Sequence, residues 1–214
     1  MDLTRVRPRW WLYACVAIIQ VTTLALGLDV ISVPAQALLM PTLALVARRV
    51  LTGRGRRWAL IALFFSFCGD LVPRFVPVEH ELLVLIGAFA LAQVAWMIAL
   101  RPGLNVTARR AAMIAGPPAA FLALILKPAA GELAPAVIIY AALLVTMTIH
   151  AACWGWRGAL GGALFLLSDS LIAVTAFHPD LESRAASVII MATYVSAQGF
   201  LVDAMSRGQV GSHP

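Results

Sequence analysis

The chain has 214 residues, 62% of them hydrophobic and only 12% charged, with a formal net charge of +6. A soluble domain carries about 45–50% apolar and about 25% charged residues, so too little polar material remains here to cover a water-facing surface. This excludes a soluble enzyme, a disordered tail protein and a disulfide-rich secreted module. The basic residues sit in short gaps between apolar runs, which speaks for membrane orientation and against nucleic acid.

Eight apolar segments follow one another, at residues 10–28, 31–47, 58–76, 82–100, 111–126, 133–152, 158–177 and 185–204. At about 1.5 Å rise per residue, most can cross a hydrocarbon core of about 30 Å. Lipid offers an exposed backbone no hydrogen-bond partner, so these spans are expected to be helical. The period-two alternation of an outer-membrane barrel is absent. The first segment follows Arg5, Arg7 and Arg9, as a signal sequence would. It is too long for a signal core, and no small-x-small cleavage site precedes Asp29, so it reads as a retained helix. The second is short and holds Pro34 and Pro41, which predicts a bent or broken helix. The expectation is an all-α polytopic bundle of eight transmembrane helices forming one membrane domain over residues 1–214.

Charge predicts the orientation. Thirteen of the sixteen basic residues fall on one side, before span one and after spans two, four, six and eight. Arg74, Lys127 and Arg184 fall on the other. The positive-inside rule then places both termini in the cytoplasm. Asn105-Val-Thr107 matches a glycosylation acceptor but lies on that cytoplasmic side.

Little else in the chain carries a recognised chemistry. Cys15, Cys68 and Cys153 show no CxxC spacing, and His80, His150, His178 and His213 are scattered. No metal site and no cofactor are expected. No P-loop, dinucleotide fingerprint or nucleophile elbow is present.

Two aspartates lie inside spans, where a charge costs about 2.5–3.5 kcal/mol on insertion scales and faces the bundle interior. Asp70 comes thirteen residues after Arg57, and Asp169 twelve after Arg157. Both helices run outward, so the two carboxyl groups sit at nearly one depth, about 18–20 Å from the cytoplasmic edge. They could meet in one cavity. Asp70 could instead pair with Arg74, one turn on, and Asp169 could instead bond a neighbouring backbone. Tyr194 and Gln198 share a face of the last helix, and Tyr140, Gln93, Ser66 and Ser168 are further polar groups at depth. Each alone suits a helix–helix hydrogen bond; together with two aspartates they would line a polar pocket. Gly158 and Gly162 would let another helix approach closely. A faint repeat pairs helices three and seven through Gly69-Asp70 and Ser168-Asp169. It pairs four and eight through Ala92-Gln93 and Ala197-Gln198, giving a parallel 4 + 4 arrangement.

At these residues the chain resembles the YhhN-like, lysoplasmalogenase family of eight-helix membrane proteins. The matching pieces are Phe65-Ser66-Phe67-Cys68-Gly69-Asp70, Tyr140 with Met147, Gly162-Ala163-Leu164-Phe165 through Ser168-Asp169-Ser170, and Tyr194-Val195-Ser196-Ala197-Gln198. The resemblance implies hydrolysis of the vinyl-ether bond of lysoplasmalogens, a lysolipid substrate, to a fatty aldehyde and a glycerophospho-ethanolamine or -choline. It implies Asp70 and Asp169 as the catalytic pair, with Tyr140, Tyr194 and Gln198 in the pocket. The chain departs from the family's common pattern at two places. Met40-Pro41 stands for a Lys-Pro in the second helix, and Gln93 and Trp96 for a His and a Tyr in the fourth.

The chemistry suits two carboxyl groups. Proton transfer to the β-carbon forms an oxocarbenium ion, water attacks it, and the hemiacetal collapses to aldehyde and alcohol. One acid, one negative charge and one base for the water are required. A proton-coupled transporter also fits intramembrane carboxylates, a proline-bearing helix and a 4 + 4 repeat. A non-catalytic lipid-binding protein fits the departures Met40 and Gln93. The strong preference for Arg over Lys and the abundance of Ala point to a bacterial plasma membrane.

Overall fold

The computed structural model describes residues 7–101 and 106–210. Arg5, Asn105 and His213, named above, lie outside them. Helix makes up 93% of the structure. Among the described residues there are eight α-helices: α1 (Arg7–Leu26), α2 (Asp29–Val50), α3 (Gly53–Leu71), α4 (Val78–Ala99), α5 (Val106–Ala130), α6 (Ala134–Ala152), α7 (Gly155–Phe177) and α8 (Arg184–Val210). Short 3-10 turns at Val72–Phe75, Gly131–Leu133 and Pro179–Leu181 lead into α4, α6 and α8.

All eight expected segments are helices, and six of them are long and apolar enough to cross a membrane. The apolar part of α1 is shorter, Trp10–Leu26, and α5 carries Pro117, Pro118 and Pro128 within its 25 residues. Large side chains such as Ile18, Phe64, Ile114, Phe121 and Leu124 point outward and are more than half exposed. In water so much exposed apolar surface would aggregate; in lipid it is the solvated face. The chain is a multi-pass membrane protein.

The second helix differs from expectation. It runs unbroken from Asp29 to Val50 with both prolines inside it. Pro34 falls in the second turn, where its missing amide leaves the Val30 carbonyl without its helical partner. Next to Pro41, the hydroxyl of Thr42 donates to the carbonyls of Leu38 and Leu39 at 2.8 and 2.9 Å. Pro41 itself leaves the Ala37 carbonyl without its helical amide, one bond lost in an otherwise continuous helix.

Sequence neighbours pack as antiparallel pairs: α1 with α2, α2 with α3, α3 with α4, then α5 with α6, α6 with α7, α7 with α8. Across the halves α4 meets α6, and α8 meets α2 and α1. Gly27 makes the tight turn from α1 to α2 at φ +71°, a backbone conformation that favours glycine. Tyr13 ties α1 to α8, its hydroxyl donating to the Val195 carbonyl at 2.6 Å. Gly158 and Gly162 let α7 lie against α6, as expected. A methyl on Gly158 would run into the Ala151 carbonyl, and one on Gly162 would stand 3.0 Å from the Thr148 Cα. At one end of the bundle Asp203 of α8 bridges Arg157 of α7 at 2.8 Å and Arg207 at 3.0 Å.

The core runs through the middle of the bundle. Leu39, Met40 and Leu43 of α2, Leu63 of α3, Trp96 of α4, Phe165 of α7 and Leu201 of α8 are all within 1% of complete burial. Met40, where the family commonly has a lysine, is therefore core packing.

Candidate functional site

The site is built around Phe89 of α4. Gly69 allows α4 to come in so close that an added Cβ would stand 2.6 Å from the Phe89 ring. That ring meets Phe165 of α7 at 6.5 Å and Tyr194 of α8 at 5.7 Å, and the last two rings meet each other at 5.7 Å, all near perpendicular. Edge-to-face contacts set the positive ring edge on the negative face. Three helices are thus locked around one aromatic cluster. A carboxyl group lies on either side of it.

On one side, the Tyr194 hydroxyl donates to Asp70 Oδ2 at 3.1 Å. One turn further along α8, Gln198 Nε2 donates to Ser66 Oγ at 2.9 Å. Ser66 is one turn before Asp70 on α3, so α3 and α8 are joined by two polar rungs. Gln36 of α2 stands beside Asp70. Its carbonyl oxygen accepts from Arg74 Nη2 at 2.6 Å. Arg74 therefore reaches across to α2 and forms no ion pair with Asp70. A cavity of about 400 Å³ opens here, with Gln36, Asp70, Arg74, Glu81 and Tyr194 among its lining.

On the other side, the Tyr140 hydroxyl of α6 donates to Asp169 Oδ2 in a short contact. Asp169 is only 6% exposed. Its own cavity is about 40 Å³ and otherwise almost wholly apolar, with Ile86, Val137 and Phe177 in its wall. Leu85, Phe89 and Ile172 line both cavities. The two aspartates thus occupy adjoining cavities with a shared apolar wall, where a single cavity had been expected.

The remaining expected residues fall as follows. Ser168 lines the larger cavity, and its hydroxyl donates to the Ile190 carbonyl at 3.2 Å, tying α7 to α8. Gln93 is fully buried beside the Tyr140 hydroxyl, but neither its amide nitrogen nor its oxygen meets a partner in full hydrogen-bond geometry. The Trp96 ring nitrogen, one turn on, is also buried without a partner. Gln36, Glu81 and Phe89 were not singled out from the sequence. Gln36 had a signal, being a long polar side chain inside an apolar span. Glu81 falls at a helix end, where a carboxylate is ordinary, and Phe89 is one apolar residue among many in its span.

The faint repeat has a counterpart in space. Setting Asp70 on Asp169 and Gln93 on Gln198 pairs α1–α4 with α5–α8; contacts between consecutive helices correspond, whereas among the described residues α5 also packs on α7 and α1 makes no such contact with α3. Ser66 then corresponds to Phe165, and Phe89 to Tyr194. Gln198 donates to the Ser66 hydroxyl, whereas the position that corresponds to Ser66 holds Phe165, which offers no polar group.

Among the described residues no group of His, Cys, Asp and Glu is arranged to hold a metal ion. Among known protein families, the YhhN family matches residues 31–205. The chain belongs to the YhhN family. The YhhN match begins within α2 and ends within α8, so both carboxyl–tyrosine pairs lie inside it. No curated protein and no solved structure matches the chain. The two departures noted in the sequence now have a place: Met40 packs in the core, and Gln93 is buried beside Tyr140.

Proposed function

We propose that this YhhN protein is a membrane-embedded hydrolase that cleaves the vinyl-ether bond of lysoplasmalogen-type lysolipids. The observation that carries this reading is the pair of intramembrane carboxyl groups in adjoining cavities, each bound by a tyrosine hydroxyl. In a site of this kind one carboxyl donates a proton to the β-carbon of the vinyl ether. The electron pair of the double bond takes that proton, and the ether oxygen shares the positive charge that results. The ionised partner stabilises this oxocarbenium ion and accepts a proton from the attacking water. The hemiacetal then breaks its carbon–oxygen bond to the glycerol, whose oxygen takes up a proton. A fatty aldehyde and a glycerophospho-alcohol leave.

Space divides the two roles. Only the Asp70 cavity, about 400 Å³, has room for a lipid glycerol backbone. The 40 Å³ beside Asp169 exceeds the roughly 10–15 Å³ that one water needs. The bond to be cleaved is therefore assigned to the Asp70 side. Asp169 and Tyr140 act from behind the Phe89 wall, through a water. Asp70→Asn and Asp169→Asn are each expected to abolish aldehyde release from a vinyl-ether lysolipid while the protein still inserts. Full activity in both variants would exclude the mechanism.

A second reading rests on the two matching halves with one carboxyl each, the layout of a proton-coupled carrier. It predicts uptake into proteoliposomes with no chemical change in the solute. In either case the charge asymmetry supports a bacterial plasma membrane with both termini in the cytoplasm.

A further inference from the structure

The mouth of the Asp70 cavity carries two opposite charges that the chemistry above does not use. Arg74 lies in the 3-10 turn four residues beyond Asp70, and Glu81 lies in the first turn of α4. Both line the cavity. An arginine at a helix end ordinarily extends outward into the interface, its stem along the apolar surface. Arg74 instead turns over the cavity and donates to the neutral carbonyl oxygen of Gln36 at 2.6 Å. Among the described residues the only ion pairs are those of Asp203. Arg74 thus makes no direct ion pair, its nearest carboxyl being Asp70 deeper in the same cavity, and it has guanidinium donors to spare. Glu79 and Glu81 both suit the positive end of α4. Glu79 is exposed, whereas Glu81 is half-buried and faces the cavity. The two charges share one cavity rim without meeting.

We infer that Arg74 and Glu81 form a subsite for a zwitterionic phospho-amine headgroup, Arg74 holding the phosphate and Glu81 the ammonium. The inference rests on the lysolipid reading of the same cavity and adds the residues that select the headgroup. A guanidinium matches phosphate oxygens in charge and in fork geometry. Gln36 holds it in place and also stands beside Asp70. A headgroup seated on Arg74 would therefore register the lipid's glycerol end against the carboxyl group. A phosphate monoester lacking the amine would satisfy Arg74 and leave Glu81 facing an unscreened negative charge.

The test uses the intact protein in detergent and two probes it cannot cleave. One is a saturated 1-O-alkyl lysophosphoethanolamine and the other the matching 1-O-alkyl glycerophosphate, with binding read by calorimetry. Arg74→Gln is expected to weaken both probes by about tenfold or more, and Arg74→Lys to recover part of the loss. Glu81→Gln is expected to weaken the phosphoethanolamine probe alone and to leave the glycerophosphate probe equal or tighter. A variant that merely unfolds would lose both probes together, so the selective loss in Glu81→Gln separates recognition from instability. Wild-type binding of both probes by both variants would overturn the subsite, and so would an equal loss of both probes in Glu81→Gln. Charge-dependent binding without aldehyde release from the vinyl-ether lipid would exclude hydrolysis and keep the subsite. Aldehyde release untouched by either variant at subsaturating lipid would do the reverse.

Discussion

At the residue scale, the tyrosines are what distinguish these aspartates from simple packing groups. A hydrogen bond to a charged acceptor contributes about 1.5–3 kcal/mol, and each carboxyl group here has a tyrosine hydroxyl on it. Tyr194→Phe is expected to lower aldehyde release about tenfold or more with little change in melting temperature, since the ring contacts with Phe89 and Phe165 survive. A wild-type rate in that variant would show that the hydroxyl does not orient Asp70. Gln93 gives the opposite kind of prediction. A buried amide with no partner costs about 1–3 kcal/mol, so Gln93→Met should hold or raise stability; a fall of more than about 1 kcal/mol would mean the amide has a partner, such as an ordered water. Asp70, Asp169, Tyr140, Tyr194 and Gln198 were legible in the sequence because polar groups in a span are conspicuous against Leu and Ala. Glu81 was not, because a carboxylate at a helix end is expected there in any case.

At the scale of elements, all eight helices could be read from the apolar runs, whose length is fixed by the bilayer. The unbroken second helix could not. A proline count predicts a break, but each proline removes a single amide bond, and the packing of α2 against α1 and α3 holds the remaining turns. The shared wall between the cavities was equally hidden, since it depends on which ring fills the space beside Gly69. That wall is testable. Gly69→Ala would press a methyl into the Phe89 ring, which is itself held by Phe165 and Tyr194. Overpacking of this kind costs about 1–3 kcal/mol. The expected result is a lower melting temperature together with reduced aldehyde release. Unchanged stability would mean that Phe89 moves freely and does not lock the site.

For the whole molecule, each half places its aspartate on its third helix, beside one of two adjoining cavities. Each half brings its third helix, with an aspartate, against its fourth, and the halves meet where Phe89, Phe165 and Tyr194 touch. The repeat was faint in the sequence because the halves have diverged in chemistry: one holds Ser66 and Arg74, the other Phe165 and an apolar cavity. That divergence is what an acid and a base with different tasks require, and an equal pair of sites would not supply it. The positive-inside rule predicts both termini in the cytoplasm. Reporter fusions at the two ends are expected to show the same cytoplasmic side, and opposite sides would overturn the orientation.

Carbon protonation is the step on which the proposed chemistry stands, and it leaves an isotopic trace. Purified protein is incubated in deuterium oxide with a vinyl-ether lysolipid, and the released aldehyde is weighed by mass spectrometry. The expected product is an aldehyde carrying one deuterium on the carbon next to the carbonyl, formed by the wild type and by neither Asp70→Asn nor Asp169→Asn. Intact lipid after incubation with the wild type, or aldehyde free of deuterium, would contradict it.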